Sequence, residues 1–112
     1  MTPEFKEILI KSKEFAEDNN AKFYFVYLTE VNRYNNKIFH KEKYDYSNLI
    51  EFIEINNINL INIHKELFEN HDKPLSLFSP QSLTSTSINH YNEEGYMLVS
   101  KAILKKIKDF EN

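Results

Sequence analysis

The chain has no cysteine and no tryptophan, and among its 112 residues there are one glycine, three prolines and one arginine. Without cysteine there is no disulfide framework, no thiolate nucleophile and no cysteine-bound zinc, and four histidines remain as possible ligands. An average composition would supply about eight glycines. With one, the chain cannot build a Gly-x-Ser-x-Gly nucleophile elbow, a Walker phosphate loop or a Gly-x-Gly-x-x-Gly dinucleotide turn. Basic charge is also short, 14 lysines and arginines against 17 acidic residues, so no electrostatic footprint for nucleic acid is present. The Lys105, Lys106, Lys108 cluster reads as a solvated helix end, where cations favour the dipole. No long apolar run occurs. The opening MTPEFKEILIKSKEF is broken by charge every two or three residues, which fits neither a signal peptide nor a membrane span. A cytoplasmic location is the default expectation, with no membrane partner.

What the chain does have is apolar mass. Hydrophobic residues make up 41% and aromatic residues, all Phe and Tyr, 14%, ample for a core in one domain over residues 1–112. Thr2-Pro3 is a helix start, and Phe5, Ile8, Leu9, Ser12, Phe15 and Ala16 follow at helical spacing, predicting a helix from Pro3 to Asp18 that Asn19 and Asn20 stop. Phe23 to Leu28 is a continuous apolar run, expected to be a central strand covered on both faces. A long loop should follow, with a weak stretch through Lys41 and Tyr44. The helical stripe returns from Tyr46 to Asn56, Ile58 to Ile63 reads as a second strand, and His64 to Asn70 as a short helix. His71 to Asn89 is expected to be irregular, because it holds Pro74, Pro80 and many hydroxyl residues. A last amphipathic helix runs from about Glu93 to Phe110. Helices between buried strands make this an α/β chain with parallel strands.

Ligands of open parallel sheets bind beyond the carboxyl ends of the strands. Those ends are Thr29 to Tyr34, His64 to Phe68, and the loop leading to His90. In Ile88-Asn89-His90-Tyr91-Asn92-Glu93-Glu94-Gly95-Tyr96, Asn92 is a helix N-cap, Glu93 and Glu94 suit the positive helix end, and Gly95 allows close backbone approach. His64 after a strand end reads as structural. His40, His64 and His71 lack the i, i+4 spacing of metal ligands, so no metal is expected. Ser76, Ser79, Ser82, Ser85 and Ser87 lack a helix start or glycine turn to supply oxyanion donors. Glu30 and Arg33 read as a solvated loop pair that could also meet a substrate.

NHYNEEGYMLVSKAI, from Asn89 to Ile103, resembles the last conserved block of the SGNH/GDSL hydrolases, in which the catalytic histidine precedes an Asn-x-x-Gly turn and the final helix. AKFYFVYLTEVNRY, from Ala21 to Tyr34, is similar to the strand and loop that lead toward that block. INLINIHKELF resembles the next strand, and PLSLF, from Pro74 to Phe78, has a counterpart in the loop before the histidine. The resemblance implies part of a flavodoxin-like, three-layer α/β/α sandwich. It implies acyl transfer on an ester, often a carbohydrate O-acetyl group, with His90 as general base and no metal or organic cofactor.

The family's Gly-Asp-Ser nucleophile block and its oxyanion glycine and asparagine match nothing here. Its acid, two or three residues before the histidine, falls on Ile88 or Ser87, neither of which can orient or stabilise an imidazolium. The resemblance is therefore to the C-terminal half of a hydrolase, expected to be inactive alone because the nucleophile and oxyanion blocks are absent from it. The partner expected is that missing half or a second copy. A non-catalytic α/β module that binds a partner chain is the competing expectation, in which His90 is simply a loop residue.

Overall fold

The computed structural model describes residues 1–35, 46–84 and 88–112. Helix α1 (Pro3–Asp18) starts where Thr-Pro predicts: the Phe5 N–H donates to Thr2 Oγ1 at 3.2 Å, and Pro3 takes the first helical position, where its missing N–H is not needed. The chain leaves α1 through Asn20 at φ 58° and leaves α2 (Ser47–Ile55) through Asn57 at φ 55°. Left-handed backbone after a helix ordinarily calls for glycine, and in this glycine-poor chain asparagine, whose short amide tolerates that region, takes the place.

Strands β1 (Tyr24–Tyr27) and β2 (Asn59–Asn62) form a two-stranded parallel sheet, which makes the chain a mixed α/β structure. The expectation of a central strand buried on both faces is corrected here. Among the described residues β2 is the one neighbour of β1; Tyr24, Phe25 and Val26 are half-buried, and Leu28 just beyond is 51% exposed. A short apolar run cannot distinguish one covered face from two, and tyrosine keeps its hydroxyl end near water even when its ring packs.

The described chain forms two compact units, Met1–Phe25 with Asp45–Leu60, and Val26–Tyr44 with Ile61–Asn112. In the first, Leu9 of α1 packs with Ile53 and Ile58, surrounded by Phe23, Phe25, Leu49, Phe52 and Leu60. The Lys13 ammonium donates to the Asn56 carbonyl at 3.1 Å, placing a cation at the negative end of α2. In the second, Val31, Ile61, Ile63, Phe68, Leu77, Phe78, Tyr91 and Val99 are buried. No helix among the described residues is long and apolar enough to cross a membrane.

The second unit also corrects the expected irregular stretch. Pro74–Leu77 is a 3₁₀ turn and α3 (Pro80–Thr84) is a short α-helix. Each begins on a proline, whose fixed φ suits the first helical position, so residues that looked like interruptions are helix starts. Ser85 and Ser87, like Lys41, Tyr44 and His40, lie outside the described residues. Helix α4 (Glu93–Glu111) is capped by Asn92, whose Oδ1 accepts the Gly95 N–H at 2.8 Å. Gly95 is needed for space rather than for φ. A Cβ there would collide with the Leu77 carbonyl oxygen and touch the Tyr91 Cβ at 3.0 Å.

Alanine in place of glycine inside a helix ordinarily stabilises by about 0.5–1 kcal/mol. At Gly95 the sign should reverse: Gly95→Ala should lower stability by roughly 1–3 kcal/mol through overpacking against backbone that cannot swing aside. Urea unfolding of both forms checks this, and a midpoint equal to or above that of the native chain would disprove the close approach.

Candidate functional site

His90 lies on the segment that enters α4, and its backbone is held from below by α3. Ser82 Oγ accepts the His90 N–H at 2.7 Å and donates to the His90 carbonyl at 3.1 Å, while the Ser79 N–H donates to the same carbonyl at 2.9 Å. Because the single Ser82 proton goes to that carbonyl, the 2.8 Å contact between the two serine hydroxyls is donated by Ser79. Ser82 is 1% exposed. Its hydroxyl is thus wholly committed to shaping the loop, and that of Ser76 donates to the Lys73 carbonyl at 2.6 Å; neither is a free nucleophile.

The residues on both sides of His90 grip the loop that follows β1. Asn89 Oδ1 accepts the Val31 N–H at 2.9 Å, and the buried Tyr91 hydroxyl donates to the Thr29 carbonyl at 2.8 Å. The His90 residue itself is exposed, and its ring has no hydrogen-bond partner among the described residues. Ile88, at one of the two positions where the SGNH block would carry its acid, is half-buried.

A second polar group sits at the carboxyl ends of the strands. Thr29 Oγ1 is 2.8 Å from the Tyr34 hydroxyl, which is 2.6 Å from His64 Nδ1. Burial pushes the Tyr34 phenol far above its ordinary range, and burial followed by the positive field of Arg33 holds the His64 imidazole below its ordinary 6.5. Both are therefore neutral at pH 7. One proton arrangement satisfies all three groups: Thr29 donates to Tyr34, and Tyr34 donates to an unprotonated His64 Nδ1.

Local structure aims these side chains. β2 runs straight into a π-helical turn, His64–Phe68, closed by the Glu69 N–H donating to the His64 carbonyl at 2.7 Å. That turn places both of its end residues against Tyr34, His64 at 5.7 Å and Phe68 at 5.1 Å between ring centroids, nearly parallel. Phe78 and Tyr91 complete the aromatic cluster. On the β1 side a 3₁₀ turn, Val31–Arg33, carries the arginine, whose Nη1 donates to the Tyr27 hydroxyl at 3.1 Å.

The structure therefore brings the His90 segment together with the loop after β1, and His64 together with Tyr34. Among the described residues no three His, Asp or Glu side chains gather. His71 serves its own turn, its Nδ1 accepting the Lys73 N–H at 3.0 Å. Sequence reasoning named Ser82 and the strand end from Thr29 to Tyr34 but missed what they do, because their partners lie 8, 5 and 30 positions away. The Phe78-to-Tyr91 bridge, which brings the α3 segment and the His90 segment side by side, has no local signature. Comparison with protein-family models, curated proteins and solved structures finds no match.

Two outcomes are expected. A folded-state His64 held below its unfolded value binds fewer protons than the unfolded chain, so its contribution to stability is complete above about pH 6.5 and declines as pH falls below it. Urea midpoints measured from pH 8 to pH 5 should fall more steeply for the native chain than for His64→Gln; parallel curves would exclude His64 as the titrating group. Ser82→Ala should cost roughly 1–3 kcal/mol, since it leaves the His90 N–H without its acceptor in a partly buried place. It should also speed hydrogen exchange at His90 more than at Gly95, whose acceptor is Asn92.

Proposed function

We propose that the chain is the C-terminal portion of an SGNH-type ester hydrolase, a partial flavodoxin-like three-layer fold in which His90 is the general base. The observation that carries this reading is the His90 segment. A histidine stands directly ahead of an Asn-capped, glycine-containing helix start, its backbone fixed through both N–H and C=O, its neighbours bound to the carboxyl-end loop of β1, and its ring without a hydrogen-bond partner among the described residues. An exposed imidazole held by its backbone is suited to take a proton from a serine and return it to a leaving alkoxide. The serine and the oxyanion donors belong, on this reading, to a segment carrying the Gly-Asp-Ser block.

The test has two parts. The chain alone, given p-nitrophenyl acetate and a fluorophosphonate probe, should show no labelled serine. The DNA upstream should contain an open frame encoding Gly-Asp-Ser, and co-expression of that product should give a labelled serine and ester turnover that His90→Ala reduces by about 10²-fold or more. Stoichiometric labelling of a serine in the isolated chain, lost in His90→Ala, would overturn the split arrangement. A turnover unaffected by His90→Ala would overturn the base assignment.

A second reading, a non-catalytic module that binds a partner chain, draws on α1, where Ile8 is 60% and Phe15 72% exposed. Absence of any upstream Gly-Asp-Ser frame would favour it.

A further inference from the structure

The Thr29, Tyr34 and His64 contacts belong to a longer hydrogen-bond relay. Arg33 Nη1 donates to the Tyr27 hydroxyl at 3.1 Å, the Tyr27 phenol is hydrogen-bonded to the Thr29 side chain, and Thr29 Oγ1 leads at 2.8 Å to the Tyr34 hydroxyl and on at 2.6 Å to His64 Nδ1. Arginine has donors and no acceptor, whereas each hydroxyl has one proton to give. The direction that places a single proton in every link and leaves none over runs from Arg33 through Tyr27, Thr29 and Tyr34 to an unprotonated His64 Nδ1.

A proton on His64 upsets that count. An imidazolium donates from both ring nitrogens, so the relay would then have a donor at each end and one proton more than it has links. One hydroxyl must turn its proton out of the relay, and the conflict begins where Nδ1–H meets the Tyr34 hydroxyl. Arg33, from the loop after β1, opposes that protonation, and Glu69, at the end of the π-helical turn, favours it. From α4, Lys106 reaches the same turn but is paired with Glu66 at 3.4 Å. Phe68 and Phe78, packed against Tyr34, carry no charge.

The relay also has an outlet. The Thr29 carbonyl accepts the Tyr91 hydroxyl at 2.8 Å, and the Val31 N–H donates to Asn89 Oδ1 at 2.9 Å. The loop that supplies Thr29, Arg33 and Tyr34 to the relay is therefore the loop that holds both neighbours of His90.

We infer that Tyr34 and His64 form a pH-operated latch: proton uptake by His64 breaks its bond to Tyr34 and loosens the loop from Thr29 to Tyr34, and with it the residues that flank His90. Burial, and then the field of Arg33, hold the imidazole below its ordinary 6.5, so the latch is closed at neutral pH and opens in mild acid. The latch does not depend on the hydrolase reading.

The full chain, labelled with ¹⁵N, supplies the test. At pH 8 the long-range imidazole spectrum should show His64 protonated at Nε2 and bare at Nδ1; a proton on Nδ1 would reverse the relay and overturn the inference. Between pH 8 and pH 5 the protection of the Val31 amide against hydrogen exchange should fall by about tenfold, the worth of one hydrogen bond, along the His64 titration curve. The amide of Ile58, bonded to the Ile53 carbonyl in the other compact unit, should lose less. Unchanged protection at Val31, or an equal fall at both amides, would overturn the latch. Tyr34→Phe keeps the ring and deletes the link, so His64 should still titrate while Val31 no longer follows it; a Val31 response of undiminished size in that variant counts equally against it. If Tyr34→Phe does not fold, the tautomer and exchange measurements on the native chain decide. No ester enters these measurements, so their failure leaves the hydrolase reading standing, and failure of that reading leaves the latch to be judged on its own.

Discussion

The Asn92 side chain joins two pieces of backbone that lie far apart in the sequence, the start of α4 and the stretch from Ser76 to Phe78. Its Oδ1 accepts the Gly95 N–H at 2.8 Å, its amide nitrogen donates to the carbonyls of Ser76 at 2.7 Å and Phe78 at 3.3 Å, and its own N–H donates to the Leu77 carbonyl at 2.9 Å. One residue thus caps α4 and ties it to the 3₁₀ turn over Pro74–Leu77. Because Gly95 has no Cβ, the first turn of α4 can rest on that same Leu77 carbonyl. The position of His90, two residues before Asn92, follows from this junction. A helix cap alone is ordinarily worth about 1 kcal/mol; a cap that also satisfies two loop carbonyls fixes tertiary geometry besides.

Around this junction polar and aromatic groups are arranged in complementary ways. The rings of Tyr34, Phe68, Phe78 and Tyr91 pack nearly parallel or tilted against one another and exclude water, which raises the cost of any unpaired polar atom among them. Each hydroxyl within the cluster accordingly has a partner: Tyr34 is bonded to Thr29 and His64, and Tyr91 to the Thr29 carbonyl. Thr29, 3% exposed, is where the two sets of bonds meet. The same exclusion of water holds the His64 imidazole below its ordinary range. The half-buried pair of Lys106 and Glu66, 3.4 Å apart, adds a link from α4 to the π-helical turn.

Most of the helical architecture was legible in the residues. Thr2-Pro3 begins α1, the asparagines at 19 and 20 end it, and Asn92 with Glu93, Glu94 and Gly95 begins α4, because capping is a local matter of which side chain can reach an N–H three residues on. The close approach at Gly95 was legible for a similar reason: a lone glycine in a helix is explained by packing. Less legible was the stretch after His71, where prolines start short helices instead of ending them, and where the outcome depends on Ser82 finding the His90 backbone. The strand run Phe23 to Leu28 was visible as a strand, but its degree of burial was not, since that depends on how many neighbours the sheet acquires.

Sequence by itself determined the ends of α1, the place of α2 and α4, the two strands, the α/β alternation and the segment around His90, all consequences of propensity, capping and periodicity within a few residues. The tertiary structure alone decided which groups meet: Tyr34 with His64 across 30 positions, Val31 with Asn89 across 58, Thr29 with Tyr91 across 62. Those pairings arise because burying the aromatic rings forces every enclosed hydroxyl, amide and carbonyl to find a partner, and no local pattern states which partner the fold will bring within reach.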